Sequence, residues 1–348
     1  MNYFRKSIHE MSGYVPGEQP PLGTKIIKLN SNENPYPPSP KALKVLQEID
    51  GEMLRRYPDP TGKNFRIAAS KVLGLPDDWI AVGNGSDDLL NLIVRAVGES
   101  GKQIVYPAPT YVLYRTLAQI QDAEFVEVPY PDDYKLPVDL LIAAQGAVTF
   151  VASPNSPSGT AISLADLEKL AQELSGILVI DEAYVDFAEN HALDLTKKYS
   201  NVIVLRTLSK GYSLAGLRLG FAIANPMLLA ELNKIKDSYN VDAVAYAVAA
   251  SAIADQDHKT ANAEKIKASR AKLAVSFKEL GFEVWPSQTN FLLVRPPNGD
   301  AARIYQTLKE RGILIRYFNQ PPLDDKLRIS IGTEEQNQIL VTILKEIL

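Results

Sequence analysis

After Pro40, short apolar runs alternate along the chain with amphipathic helical stretches. This alternation is typical of α/β domains, in which a mostly parallel central sheet is flanked by helices. The runs are apolar on both faces, as strands buried between two layers of helices are. We predict strands at Trp79–Val82, Gln103–Tyr106, Val148–Ala152, Ile177–Ile180, Val202–Leu205 and Gly220–Ala224, and helices at Asp88–Val97 and Leu164–Leu174.

The pattern changes on either side of this segment. The first forty residues are rich in proline, which disfavours regular helix, but apolar residues among them indicate an ordered arm. From about Ala261 a smaller α+β unit follows, and a capping box from Thr333 to Gln336 opens its last helix. Its predicted helices are Asn262–Leu280 and Ala301–Arg311, and its predicted strands are Phe282–Trp285, Asn290–Arg295, Ile313–Arg316 and Leu327–Ile331.

These changes predict three parts in the chain. Residues 1–40 form the arm, which we expect to pack on the small domain or on a partner subunit. Residues 41–262 form a large domain and residues 263–348 a small one. The length of 348 residues fits two domains of ordinary size.

The composition excludes several classes of protein. With 46% hydrophobic and 22% charged residues, the chain has the composition of a globular protein. A net charge of −4 without a long basic run argues against a nucleic-acid binder. The absence of cysteine excludes disulfides, thiolate metal sites and cysteine nucleophiles, and the three histidines show no metal-ligand spacing.

The same sequence predicts a cytoplasmic protein with no membrane role. The longest uncharged alanine-rich stretch, Ala243–Ala254, is too short to span a bilayer. The first ten residues contain no apolar stretch of signal-peptide length. A chain without cysteines also fits a reducing compartment.

Polar residues follow five of the predicted strands. In open α/β sheets, ligands bind beyond the carboxyl ends of the strands. These ends carry a glycine-rich turn, an aromatic ring, an amide, a carboxylate and a lysine, which is the set that a pyridine ring with a phosphate and an aldehyde requires. The segments are Gly83–Asp87, Pro109–Tyr111, Ser153–Pro157, Asp181–Tyr184 and Arg206–Lys210.

Lys210 is the candidate nucleophile of this set. An anion held by Thr207, Ser209 and Arg218 would lie close to its amine, and crowding and burial make a lysine nucleophilic. Asp181 follows a predicted strand directly, and a carboxylate at a buried strand end needs a cationic partner. A protonated pyridine nitrogen would serve as that partner.

Other interpretations of the same segments are weaker. The Gly83–Asp87 turn could be a plain strand–helix turn with Ser86 as N-cap, and it lacks the third glycine of a dinucleotide-binding fingerprint. The strand before Asp181 resembles that of an ATPase, but no phosphate-binding loop accompanies it. The residues around Ser213 miss the last glycine of a serine-hydrolase elbow.

Several motifs together resemble the fold-type I pyridoxal-phosphate aminotransferases, and more narrowly the histidinol-phosphate aminotransferase family. The resemblance covers almost the whole chain, in the order that the family shows. It rests on NENPYP (32–37), RYPDP (56–60), GNGSDD (83–88), PTY (109–111), SPNSPSG (153–159), IDEAY (180–184), RTLSKGYSLAGLRLG (206–220), PSQTNF (286–291) and RISIG (328–332), with YVPGEQP (14–20) and SYNVDAVA (238–245) in agreement.

The resemblance implies a role for each matching residue. Lys210 would bond to the cofactor's aldehyde carbon, Asp181 would hold the ring nitrogen protonated, and Tyr111 would stack on the ring. Tyr184 and Asn155 would hydrogen-bond the ring's phenolic oxygen. Around the cofactor phosphate would lie Gly85, Ser86, Asp87, Ser209 and Arg218, with Thr207 nearby.

The remaining implied roles concern the substrate and a second subunit. Arg328 and Arg316 would bind the substrate anion, and Tyr14 and Asn32 would close the site from the arm. Tyr57 would reach the cofactor phosphate of a neighbouring subunit, which implies a homodimer. The implied substrates are histidinol phosphate and glutamate or 2-oxoglutarate, small molecules of histidine biosynthesis.

Two departures from the family pattern are mild. Gly211 stands where many relatives carry alanine, and Asp88 stands where glutamate is common. An aminotransferase acting on aromatic amino acids and a threonine-phosphate decarboxylase of the same fold remain alternatives. A non-catalytic descendant is a third, but the presence of Lys210 and Asp181 disfavours it.

Overall fold

The computed structural model describes residues 3–13, 17–21, 23–99 and 101–348. The strands, in chain order, are β1 Ile27–Leu29, β2 Ile80–Gly83, β3 Gln103–Ala108, β4 Glu124–Pro129, β5 Val148–Ala152, β6 Ile177–Asp181, β7 Val202–Thr207, β8 Gly220–Ala224, β9 Glu283–Val284, β10 Phe291–Arg295, β11 Ile313–Tyr317 and β12 Leu327–Ser330.

The α-helices, in chain order, are α1 Lys6–Glu10, α2 Pro40–Val45, α3 Gly51–Leu54, α4 Lys63–Leu73, α5 Ser86–Val97, α6 Leu113–Gln121, α7 Val138–Ala143, α8 Leu164–Glu173, α9 Leu195–Lys198, α10 Pro226–Ile235, α11 Ala243–Ala254, α12 Gln256–Glu279, α13 Ala301–Glu310 and α14 Glu334–Ile347. Short 3-10 turns lie at Asp77–Trp79, Val185–Phe187 and Ala215–Leu217. None of the described helices is long and apolar enough to cross a membrane.

The larger sheet has seven strands in the order β2-β8-β7-β6-β5-β3-β4. Its strands pair in parallel except β8, which is antiparallel to both of its neighbours. Alternate residues enter opposite cores, as the pleat of a strand requires. In β6, Leu178 and Ile180 pack in one core and Val179 packs in the other. Helices cover both faces, so the predicted α/β fold class is confirmed.

The smaller sheet has five strands in the order β1-β11-β12-β10-β9. β1, from the N-terminal arm, pairs in parallel with β11, so this part of the arm is an edge strand of the small sheet. β11 and β12 are antiparallel, and their register places Arg316 opposite Arg328. This pairing matters because it brings two predicted substrate residues together. The domain limits proposed from the sequence stay a prediction.

The structure differs from the predicted elements at several places, among them β4, α12 and the start of α5. β4 was not predicted, because it is an edge strand whose residues are mostly not buried and it lacks an apolar run. The long helix α12 begins at Gln256, six residues before the predicted start. Gly85, not Ser86, is the N-cap of α5. The predicted capping box of α14 is present, with Thr333 and Gln336 bonded reciprocally.

Candidate active site

The carboxyl ends of β2, β3, β5, β6 and β7 open onto one edge of the large sheet. The register aligns β6 with both neighbours, since Asp181 lies opposite Ala152 on one side and Leu205 on the other. The residues after these strands enclose a cavity at this edge, where ligands of open α/β sheets bind. Its lining includes nine of the predicted cofactor residues: Ser86, Asp87, Tyr111, Asp181, Tyr184, Thr207, Ser209, Lys210 and Arg218.

One end of the cavity is built to hold an anion. The N-terminus of α5 presents backbone N–H groups there, and helix dipoles favour negative charge at such ends. Gly85 has a φ of +79°, and a Cβ on it would lie 2.6 Å from Arg218 Nη2, so the turn needs glycine. Thr207 Oγ1 donates to Ser209 Oγ at 2.9 Å on the opposite side. A phosphate fits this end of the cavity.

Asp87 belongs to the same end and carries a negative charge. Its Oδ2 accepts from Arg218 Nη2 at 3.1 Å, and its Oδ1 accepts from the Tyr111 hydroxyl at 3.1 Å. The carboxylate therefore orients both the arginine and the aromatic ring. A bound phosphate would compete with Asp87 for Arg218. The backbone N–H groups at the N-terminus of α5 would donate hydrogen bonds to the phosphate only.

Asp181 lies at the deep end of the cavity and is only 4% exposed. Burial raises its pKa to about 6, whereas hydrogen bonds from the Tyr114 hydroxyl and the Ala183 N–H oppose that rise. No lysine or arginine of the described residues forms an ion pair with it. A buried carboxylate without a cation is costly, so this position fits a cationic ring nitrogen.

Lys210 extends from the segment after β7 and lines two adjoining cavities. Its Nζ donates to the Ser31 carbonyl at 3.4 Å and lies 5.8 Å from the centre of the Tyr184 ring. The Tyr184 hydroxyl accepts from Asn32 Nδ2 at 2.8 Å. Asn32 is in turn held by the Ser330 hydroxyl of the small sheet, which accepts from the Asn32 N–H at 2.9 Å and donates to Asn32 Oδ1 at 3.1 Å. The lysine thus lies where the arm, the large sheet and the small sheet meet.

The second cavity adjoins the first and is lined by two arginines. Arg316 and Arg328 lie side by side on β11 and β12, and both guanidinium groups lie over the Phe318 ring. No described carboxylate forms an ion pair with Arg316. Asn32 lines this cavity as well. The two cations make this cavity suitable for an anionic substrate.

Of the predicted site residues that the structure describes, Gly85, Asn155 and Tyr57 do not line these cavities. Asn155 is fully buried behind the wall, where its amide donates to the Pro109 carbonyl and Ser158 Oγ and accepts from Thr110. Tyr57 is 80% exposed and stacks on Tyr239, with ring centres 4.4 Å apart. Tyr14 lies outside the described residues.

Ser156 and Tyr114 are among the polar residues of the site that the sequence analysis did not predict. Ser156, next to Asn155, lines both cavities, and its Oγ accepts from Arg328 Nη1 at 3.0 Å. Tyr114 donates to Asp181 from α6. Its position three residues after Tyr111, within the first turn of α6, is the one signal that could have indicated it.

Comparisons with known proteins agree with this geometry. The sequence profile of the family described as aminotransferase class I and II matches residues 24–344. The histidinol-phosphate aminotransferase 1 of Trichormus variabilis is 64% identical over 347 residues, covering 100% of this chain and 99% of that one. The histidinol-phosphate aminotransferase of Citrifermentans bemidjiense is 46% identical over 343 residues, covering 99% and 98%.

A solved structure supports the same relationship. The histidinol-phosphate aminotransferase of Sinorhizobium meliloti, crystallised in complex with pyridoxal-5'-phosphate, superposes with a TM-score of 0.91. It is 29% identical, and the match covers 100% of this chain and 98% of that one. The chain therefore belongs to the pyridoxal-phosphate-dependent aminotransferases of class I and II and, within them, to the histidinol-phosphate aminotransferase family.

Proposed function

We propose that this protein transfers an amino group between L-histidinol phosphate and 2-oxoglutarate, as a pyridoxal-phosphate enzyme of histidine biosynthesis. The observation that carries the proposal is the pair of adjoining cavities that share Lys210. One has an anion cradle and a buried carboxylate, and the other has two arginines. The 64% identity to a named histidinol-phosphate aminotransferase supports the choice of substrate.

The first cavity would hold the cofactor. The α5 N-terminus, Thr207, Ser209 and Arg218 would bind its phosphate, and Asp181 would pair with its ring nitrogen. Tyr111 would stack on the ring and Tyr184 would hydrogen-bond its phenolic oxygen. When bound, pyridoxal phosphate supplies an aldehyde that captures an amino group and a ring that withdraws electrons from the neighbouring carbon.

The residues of the chain would then handle protons and charge. Lys210 Nζ, once released from the cofactor, would remove the proton from the substrate carbon that bears the amino group. Its position between the two cavities supports this role. Asp181 would keep the ring nitrogen protonated, because a buried carboxylate is stabilised by an adjacent cation.

The second cavity would discriminate between substrates by their anions. Histidinol phosphate carries a phosphate ester where an amino acid carries a carboxylate, and glutamate must use the same cavity in the other half-reaction. A guanidinium binds both kinds of anion through paired hydrogen bonds. Arg316 and Arg328, side by side in register, are suited to both. Ser156 would hold Arg328 in place.

Half-reaction titrations test the proposal. The purified protein would be loaded with pyridoxal phosphate and mixed separately with histidinol phosphate, phenylalanine or threonine phosphate, and the absorption of the lysine-bound cofactor followed. We expect rapid loss of that absorption with histidinol phosphate. Rapid loss with phenylalanine alone would instead indicate an aromatic aminotransferase. Release of carbon dioxide from threonine phosphate would indicate a decarboxylase, and no absorption on loading would contradict the role of Lys210.

We also propose that the active protein is a homodimer. Tyr57 lines neither cavity of its own chain, and a tyrosine that is 80% exposed and stacked on Tyr239 is well placed to contact a second copy. Leu54, at the end of α3, is 63% exposed nearby in sequence. A covering subunit would remove these apolar side chains from water. The cytoplasmic location stays a prediction.

A further inference from the structure

A hydrogen bond between two fully enclosed side chains lies beneath the first cavity. The Tyr114 hydroxyl donates to Asp181 Oδ2 at 2.9 Å. Tyr114 is 0% exposed and Asp181 is 4% exposed, so water does not replace this bond. The other oxygen, Oδ1, accepts from the Ala183 N–H at 3.1 Å. Tyr114 is therefore the side chain that donates a hydrogen bond to this carboxylate.

The Tyr114 ring is held rigidly by its neighbours. It stacks on Phe150 with ring centres 4.9 Å apart and 12° between the planes. It also meets the Tyr111 ring edge to face, at 5.8 Å and 86°. One side chain thus contacts both the carboxylate and the aromatic ring that face the cofactor cavity.

The charges around Asp181 give this hydrogen bond its importance. Burial, with a contribution from the negative charges of Asp87 and Glu182, raises the pKa of Asp181 to about 6. Glu182 is paired with Arg206 at 2.8 Å, and Asp87 with Arg218 at 3.1 Å, so neither arginine is committed to Asp181. The Tyr114 hydroxyl acts in the opposite direction, since a hydrogen bond to the charged form lowers a carboxyl pKa.

We propose that Tyr114 is a positioning residue that keeps Asp181 ionised and directed at the ring nitrogen of the cofactor. The inference rests on the proposed function of the first cavity and deepens it. Tyr114 does not line that cavity and does not touch the cofactor itself. Tyr114 acts through the protonation state of Asp181, so removing its hydroxyl changes the pH dependence of cofactor binding.

The test uses a probe that isolates the ring nitrogen from the covalent step. 4'-Deoxypyridoxine 5'-phosphate keeps the pyridine and the phosphate but has no aldehyde for Lys210. Its equilibrium binding to the cofactor-free protein would be measured from pH 5 to pH 9 for the wild type, Tyr114→Phe and Tyr106→Phe. Titration of the probe itself is common to all three proteins, so differences between them report on the protein.

Tyr106→Phe is a matched control. The Tyr106 hydroxyl also bonds a carboxylate at 2.9 Å, that of Glu127, and its ring lies 6.0 Å from that of Tyr114. Both substitutions delete one buried hydroxyl from the same region of the core. We expect Tyr114→Phe to move the acidic limit of probe binding upward by about one pH unit, with up to about tenfold weaker binding at pH 6. We expect Tyr106→Phe to leave this limit unchanged.

The outcomes separate the inference from the proposed function. If the wild type binds no probe at any pH, the cofactor assignment of the cavity is wrong and the inference fails with it. If the wild type binds and Tyr114→Phe has the same pH profile as Tyr106→Phe, the inference alone is overturned.

A second comparison covers the case in which Tyr114→Phe is too unstable to study. In the D181N background position 181 carries no charge, so the double variant D181N/Y114F avoids the cost of an unsatisfied carboxylate there. We expect it to bind the probe as weakly as D181N alone and with the same pH profile. A further loss of binding on adding Tyr114→Phe to D181N would mean that the tyrosine acts by another route, and would overturn the inference.

Discussion

At the scale of single residues, the buried negative charge of Asp181 destabilises the cofactor-free protein. Its pKa in the folded, cofactor-free protein is raised to about 6 by burial, above the value of an exposed aspartate. A carboxyl whose folded pKa lies above its unfolded pKa destabilises the fold at pH values above the folded pKa. This destabilisation disappears as the pH falls from about 6 to about 4, because both states then bind the proton. Binding of a cationic ring would offset the same cost.

Asp181→Asn should therefore alter the pH dependence of stability. In the cofactor-free protein, we expect the free energy of unfolding of the variant to exceed that of the wild type at pH 8 by up to about 3 kcal/mol, and the difference to shrink towards pH 5. Denaturant unfolding at several pH values measures it. In the presence of pyridoxal phosphate the order should reverse, since the variant loses its charge pair with the cofactor. A constant difference at every pH would contradict this account.

At the scale of elements, a glycine in the segment after β7 leaves space for an aspartate that pairs with α12. A Cβ on Gly211 would overlap the carboxylate of Asp186, so this glycine leaves room for the aspartate. Asp186 pairs with Lys259 on α12 at 3.4 Å. Gly211 has no positive φ, so space rather than backbone conformation requires the glycine here. An alanine at position 211 would require Asp186 to move or to be replaced.

Gly211→Ala should thus be destabilising alone and tolerated in combination. We expect the single variant to lose about 1–3 kcal/mol of unfolding free energy through overpacking. Asp186→Gly removes all the overlapping side-chain atoms, including the Cβ, so the double variant should be more stable than the sum of the two single effects predicts. Unfolding of the four proteins in denaturant gives this coupling. Additive effects would show that the two side chains do not compete for the same space.

At the scale of the whole molecule, the proposed dimer makes each site depend on two chains. Tyr57 is exposed and lies outside both cavities of its own chain, whereas Lys210 lines both. If Tyr57 serves the partner's cofactor, then a chain with a defective Tyr57 and a chain with a defective Lys210 complement each other. Their mixed dimer contains one site that is intact.

Mixing Lys210→Ala with Tyr57→Ala tests this arrangement. After the subunits exchange in an equal mixture, we expect about a quarter of the wild-type activity from random pairing in a two-fold symmetric dimer, in addition to about a quarter of what Tyr57→Ala shows alone. Sedimentation of the wild type measures the oligomeric state independently. A mixture no more active than its parents, in a protein that does form and exchange dimers, would show that Tyr57 does not act across the interface.

Much of the fold and site could be predicted from local sequence. The strands from Val148–Ala152 and Gly220–Ala224 have the predicted limits, because an apolar run flanked by turn residues encodes a buried strand locally. Asp181 and Lys210 were found by their position after such runs. Parallel strands carry their carboxyl ends to one edge of the sheet, so adjacency in space followed from order along the chain.

Local sequence was therefore sufficient to predict the fold class and the chemical groups at the strand ends. The tertiary structure decided which way each side chain points and which distant residue it meets. Asn155 is buried and bonded to Ser158, whereas its neighbour Ser156 lines the cavity. Tyr114 donates to Asp181. Asp186 occupies the space that Gly211 leaves. The physical reason is that these contacts join residues far apart in the chain, and close packing selects one arrangement among many that the local pattern allows.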